Sequence, residues 1–150
     1  IAAMLVVFIG VWYLNSSGNP SYLDYNNHNE AHFVERSDGN PNLKTAQDYF
    51  NSKDYQKASE TFAKIENLTN PETQLYYAIS LIETDDYSKA KILLENINKG
   101  NSVYKEDAIW YLALSSLKQK NYDESKKYLQ QISEDSEKYN AAQKLLNDLE

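Results

Sequence analysis

The sequence predicts an all-α fold of stacked helix pairs, on three observations. One pattern occurs three times, as "KDYQKASETFAKI" at 53–65, "DDYSKAKILLENI" at 85–97 and "KNYDESKKYLQQI" at 120–132. A second apolar helical pattern precedes each copy, with a small residue always twelve positions before the small residue of the copy: Ala46/Ala58, Ala78/Ala90 and Ala113/Ser125. Glycine (4) and proline (3) are scarce while tyrosine (13) is abundant, as in helices joined by short turns.

The chain opens on Ile1 to Leu14, which carries no charge and only Gly10 among apolar and aromatic residues. As a helix it would span roughly 21 Å, short of the ~30 Å hydrocarbon core. The first residue is not Met, so the run is expected to be the outer part of a longer transmembrane helix. A signal-peptide hydrophobic region and a helix buried in the domain are the other readings. Trp12-Tyr13 at its end favours the anchor, because such rings prefer the membrane–water boundary. No Lys or Arg occurs from Asn15 to Glu35, which fits a translocated flank. The domain that follows is therefore expected outside the cytoplasm.

Residues 15–42 hold Gly18, Gly39, Pro20 and Pro41 among many Asn, Ser and Asp residues. They read as a polar linker or an extended strap. Tyr22, Leu23, Tyr25, Phe33 and Val34 are the residues able to clip it onto the first helix pair; a free tether is the alternative. His28 and His32 in "HNEAH" would share a face if helical, with Glu30 between them, but the spacing is not that of a zinc protease. No metal site is expected.

From Leu43 onward the helix pairs begin. Tyr55, Tyr87 and Tyr122 open the second helices, with Ala58/Ala90/Ser125 at +3, Phe62/Leu94/Leu129 at +7 and Ile65/Ile97/Ile132 at +10, a single helical stripe. Asp54, Asp86 and Asn121 stand where an N-cap accepts from free backbone N–H groups. Small residues on adjacent antiparallel helices let the backbones approach closely where they cross. Ala46, Ala58, Phe62, Tyr77, Ala78, Ala90, Leu94, Leu112, Ala113 and Leu129 are the expected core. The chain closes on "EKYNAAQKLLNDLE" (137–150), an amphipathic helix with a polar outer side.

These units of about 34 residues resemble the tetratricopeptide repeat. The resemblance rests on the paired small residues, the helix-opening tyrosines, the large apolar residue after them, and Leu112-Ala113 where the family has Leu-Gly. Lys53, Asp85 and Lys120 replace the family's turn glycine, Pro71 stands slightly displaced from its proline, and Thr45 replaces a large apolar residue. The resemblance implies a right-handed superhelix of about three repeats (43–70, 71–104, 105–134) and a capping helix at 136–149. It also implies a concave groove lined by the first helix of each repeat. That face would present Leu43, Gln47, Phe50 and Asn51, then Leu75, Ile79, Ile82 and Glu83, then Trp110, Leu114 and Lys118. An exposed Trp110 would anchor a partner, unless neighbouring helices or the strap cover these residues.

Composition narrows the chemistry. The chain has no cysteine, so thiol catalysis, thiolate zinc sites and disulfides are excluded. It has no glycine-rich phosphate loop. Its 22 carboxylates and 15 cations alternate along helix faces as a solvated surface. Asn67-Leu68-Thr69 and Asn15-Ser16-Ser17 match a glycosylation sequon, frequent by accident in an Asn-rich chain. A net charge of −7, with Arg36 the single arginine, disfavours nucleic acid. The expectation is a membrane-tethered, non-enzymatic module on the periplasmic side of a Gram-negative cell, needing no cofactor and binding a protein or peptide. The alternative is a structural subunit of a membrane complex whose anchor makes the specific contacts, with an enzyme a distant third.

Overall fold

A computed structural model describes residues 20–33 and 40–150. Seven α-helices and one 3-10 turn (Tyr22–Asp24) make up the regular structure, with no strand among the described residues. The helices are α1 (Pro41–Asn51), α2 (Tyr55–Phe62), α3 (Pro71–Glu83), α4 (Tyr87–Lys99), α5 (Lys105–Lys118), α6 (Tyr122–Leu129) and α7 (Tyr139–Asp148). They pack as three successive pairs, α1 with α2, α3 with α4 and α5 with α6, and each pair leans on the next. The expected anchor at 1–14, Val34 and Arg36 lie outside the described residues. No helix among the described residues is long and apolar enough to cross a membrane.

The same local signals start and stop each pair. Asn40 and Asn70 cap α1 and α3 through their side chains, with Pro41 and Pro71 as the first helical residues. Proline suits that position because its missing N–H would be unpaired there anyway. Asp54, Asp86 and Asn121 cap the second helices by accepting from the N–H of Lys57, Lys89 and Glu124. Between the helices of each pair, Lys53, Asp85 and Lys120 take left-handed backbone angles, with φ of 61°, 63° and 60°. The amide of Asp54 then reaches back to the Tyr49 carbonyl at 2.9 Å, Asp86 to Leu81 at 2.8 Å and Asn121 to Ser116 at 2.8 Å. This six-to-one bond closes the first helix of each pair.

The small pairs sit at the crossings as expected. Ala46, Ala58, Ala78, Ala90, Ala113 and Ser125 are all at 0% exposure. Serine is tolerated in the third copy because its hydroxyl donates to the Ala113 carbonyl at 3.0 Å. A buried hydroxyl without such a partner would cost about 1–3 kcal/mol. Helix α5 is the centre of the molecule: every residue from Ala108 to Leu117 is buried. A helix apolar nearly all round needs neighbours on all sides, and α3, α4, α6 and the 3-10 turn supply them. Its two buried serines fit as well, since Ser116 donates to the Leu112 carbonyl and Ser115 accepts from Gln119.

Three expectations are corrected. Tyr77 is half-buried rather than core, its ring packing 5.7 Å from Phe62 at the edge of the interior. Helices α2 and α6 are only eight residues long, so Ile65 and Ile132 fall in the following turns. The stripe is wholly helical only in the middle copy, where α4 runs to Lys99 and carries Ile97. The closing helix α7 begins at Tyr139, three residues later than expected, and buries Ala142 and Leu145.

Candidate functional site

The first helices of the three pairs share one face, and residues 22–33 lie along it. Against α1, the Asn51 side chain grips the main chain of Ala31 at both polar atoms. Its Oδ1 accepts from the Ala31 N–H at 2.8 Å and its Nδ2 donates to the Ala31 carbonyl at 3.0 Å. Two residues on, the Phe33 N–H donates to Gln47 Oε1 at 2.6 Å. The Phe33 ring stands edge-on to Tyr76 at 5.5 Å and Phe62 at 6.1 Å. From α3, the Tyr76 hydroxyl donates to the Glu30 carbonyl at 3.0 Å. One asparagine, one glutamine and one tyrosine thus satisfy four main-chain groups of a segment that lies outside any helix, strand or turn and has no ladder partner of its own.

Glu83, at the end of α3, is the polar centre. Its Oε1 accepts from the Tyr22 hydroxyl at 2.6 Å and from Asn26 Nδ2 at 3.4 Å, and lies 2.6 Å from His28 Nε2. The His28 side chain is 5% exposed and that of Glu83 14%. Facing a carboxylate, Nε2 must carry a proton, and Nδ1 lies 3.2 Å from the Tyr111 hydroxyl. The His28 ring is enclosed by Tyr111, Tyr55 and Phe50, with centroids 5.6–6.4 Å away. Burial pushes the Glu83 carboxyl up, but the hydrogen bonds from His28 and Tyr22 and the charge of Lys118 outweigh it. The carboxyl is held below its ordinary range. Burial, and then the bond to Glu83, push the Tyr22 hydroxyl far up, so it stays a donor.

Lys118 completes the row at the end of α5. Its ammonium donates to the Ile82 carbonyl at 2.7 Å and the Glu83 carbonyl at 3.3 Å, which are terminal acceptors of α3. A cation at a helix C-terminus is favourably placed against the helix dipole. The same ammonium pairs with Asp85 at 2.9 Å and lies 5.2 Å from the Tyr22 ring centroid. Tyr25 closes the far end. Its ring meets Trp110 edge-on at 6.3 Å, its hydroxyl donates to Asp148 of α7, and Lys144 lies over its face at 5.4 Å.

The face therefore does not lie open along its length. Of the residues expected to line it, Gln47, Asn51, Glu83 and Lys118 are half-buried and bonded or packed to residues 22–33 or the helix ends. Phe50 and Trp110 are buried beneath His28 and Tyr25. Leu75, Ile79, Ile82 and Leu114 are buried in the core, and Leu43 is half-buried against it. Asn51, Glu83 and Lys118 each stand five residues after the small residue of their helix, so one repeat position supplies these three polar side chains. Tyr76 and Tyr111 share another, two residues before it, and sequence reasoning missed them. The signal was present: that position is tyrosine in two of three copies, where a dry core would take an aliphatic residue.

The expectations for the linker change accordingly. Residues 20–33 are a docked strap, not a free tether, and Tyr22, Tyr25 and Phe33 fix it across all three pairs, not the first alone. Leu23 does not clip; it is 76% exposed. His28 and His32 share no helical face, because this stretch is not helical: His28 is enclosed, and His32 points outward 3.6 Å from exposed Glu30. Among the described residues no group of three His, Cys, Asp or Glu side chains is placed to hold a metal ion.

Residues 107–138, the third pair with the turn after it, match the family model for the tetratricopeptide repeat. No curated protein and no solved structure gives a significant match to the chain.

Proposed function

We propose that this chain is a tetratricopeptide repeat protein serving as a non-enzymatic protein-interaction module tethered to a membrane, and that an extended segment of a protein partner binds along the face of its first helices. In this reading residues 1–14 belong to the anchor and 15–42 form the strap. Residues 43–150 form the right-handed repeat array, held on the periplasmic side of a Gram-negative cell. The uncharged run at 1–14, Trp12-Tyr13 at its end and the cation-free stretch at 15–35 support the tether.

The observation that carries the binding function is the Asn51 clamp. An amide side chain satisfying both the N–H and the C=O of one residue recognises the main chain itself. Gln47 and Tyr76 extend that recognition to either side. Strand-like segments are bound in this general way: main-chain hydrogen bonds give affinity and pockets for side chains give specificity.

A second reading is favoured by the same strap. If the face is permanently occupied, the repeats serve as a structural subunit of a membrane complex and the anchor makes the specific contacts. Photo-crosslinking in the native membrane separates the two, with the photoreactive residue at Gln47 and a control at Lys127, exposed on α6. A discrete adduct heavier than the chain at Gln47 alone is the expected result. No adduct at either position, with the protein still in a large complex, would overturn the groove in favour of the structural subunit.

A further inference from the structure

We propose that the segment recognised by this face has a defined pattern, and that residues 22–33 occupy it as a built-in competitor. The pattern is an aromatic residue, five residues, histidine, two residues, a small residue, one residue and a second aromatic. The inference rests on the interaction reading above and specifies the partner's chemistry.

Each position of the pattern is set by what surrounds it. Ala31 is at 0% exposure while its N–H and C=O are both held by Asn51, so a larger side chain would push the main chain off the clamp. His28 is walled by three aromatic rings, and its Nε2 meets a carboxylate that burial would otherwise penalise. Only a flat side chain carrying an N–H at that depth fills the space and serves Glu83; an aliphatic residue would leave the carboxylate short of a donor. The first aromatic, Tyr22, brings a hydroxyl to the same carboxylate beneath the Lys118 ammonium. The last, Phe33, presents its ring edge-on to the aromatic rings of Phe62 and Tyr76.

Asn51 and Glu83 sit at the same repeat position, with Gln47 and Tyr76 at others, and no buried side-chain nitrogen or oxygen among the described residues lacks a partner. Removing the strap would leave Asn51, Gln47 and Glu83 without the groups they now hold. The face is thus complementary to a peptide at both its apolar and its polar sites. A partner must offer the same groups to displace the strap.

The test is a binding titration of a fluorescent synthetic peptide of residues 20–33 against the full chain. Three forms of the chain are compared: intact, with the strap loosened by H28A and A31R, and with residues 22–33 replaced by a glycine–serine stretch of equal length. Far-UV circular dichroism establishes that each is folded. Expected is at least tenfold tighter binding to either strap-altered form than to the intact chain. The tightening should vanish when N51A is added, or when the peptide itself carries the Ala31→Arg or His28→Leu change. Equal binding to the intact and strap-altered chains would overturn the competitor. Equal binding of altered and unaltered peptides would overturn the pattern. A partner captured at Gln47 by photo-crosslinking, without peptide binding to a folded strap-altered chain, would overturn this inference while leaving the interaction module intact.

Discussion

At the scale of single residues, the turns carry a cost that the rest of each repeat absorbs. A residue with a Cβ in the left-handed region is disfavoured by about 1–2 kcal/mol, and Lys53 and Lys120 both adopt it. Replacing either by glycine should stabilise the chain by about 0.5–1 kcal/mol in urea unfolding, the relief being partly offset by glycine's freedom in the unfolded chain. No gain at either site would contradict the strain. Asp85 should gain less, because glycine there removes the ion pair with Lys118. The sequence showed that the turn glycine of the tetratricopeptide repeat, which these units resemble, is missing at these three positions, but a missing glycine alone did not show whether the backbone kept its angle. Glu83 gives a pH dependence with a definite sign. Its carboxyl lies below the ordinary value of 4.5 in the folded chain, so its contribution is fully present above 4.5 and lost as pH falls through the lower folded value. Acid titration of urea stability should therefore fall less steeply below pH ~4.5 in E83Q than in the parent chain. Identical slopes would contradict the account of Glu83. The depressed carboxyls of Asp54, Asp86 and Glu124, which share no partner with Glu83, are common to both proteins and cancel.

At the scale of helices, nearly everything was legible, because the signals are local and repeated. Caps, turn positions and the spacing of small residues lie within twelve residues of one another, and three copies correct one another's noise. What was misread lay at helix ends: the stripe was extended through Ile65 and Ile132 although α2 and α6 had already stopped. Burial in the following turn gives the same apolar spacing as burial on a helix. The side chains that fill the space beside each crossing should be the most sensitive to truncation. Phe62 is at 0% exposure and meets Phe33 and Tyr77, so Phe62→Ala should cost about 3–5 kcal/mol. A thermal or urea unfolding measurement reading less than about 1 kcal/mol, below the range for even mild core truncations, would contradict the packing described. Ser125→Ala is instructive beside it. It removes the buried donor to the Ala113 carbonyl together with its hydroxyl oxygen, and should cost only about 0.5–1.5 kcal/mol.

At the scale of the whole molecule, the strap joins what the repeats leave apart. Tyr22 and Glu83 are 61 residues distant in sequence, Tyr25 and Asp148 123, and no periodicity links them. This is why the helices could be read from the sequence and the docking could not: a segment of Asn, Tyr and His without a helical or strand period looks like a linker until its partners are in place. The groove residues were legible only as a register. Which of them face the strap and which face the core depends on how successive pairs lean, and that buries Ile79, Ile82 and Leu114 while leaving Asn51, Glu83 and Lys118 to meet the strap. The central claim is that the face of the first helices recognises an extended main chain, and that the strap occupies it. Hydrogen exchange of individual amides, followed by NMR in the full chain, tests it most directly. The account predicts that the Ala31 and Phe33 amides are protected at least tenfold over a free peptide. It also predicts that N51A releases Ala31 while the amides of α3 and α5 stay protected. An Ala31 amide exchanging at the free-peptide rate in the parent chain would contradict it.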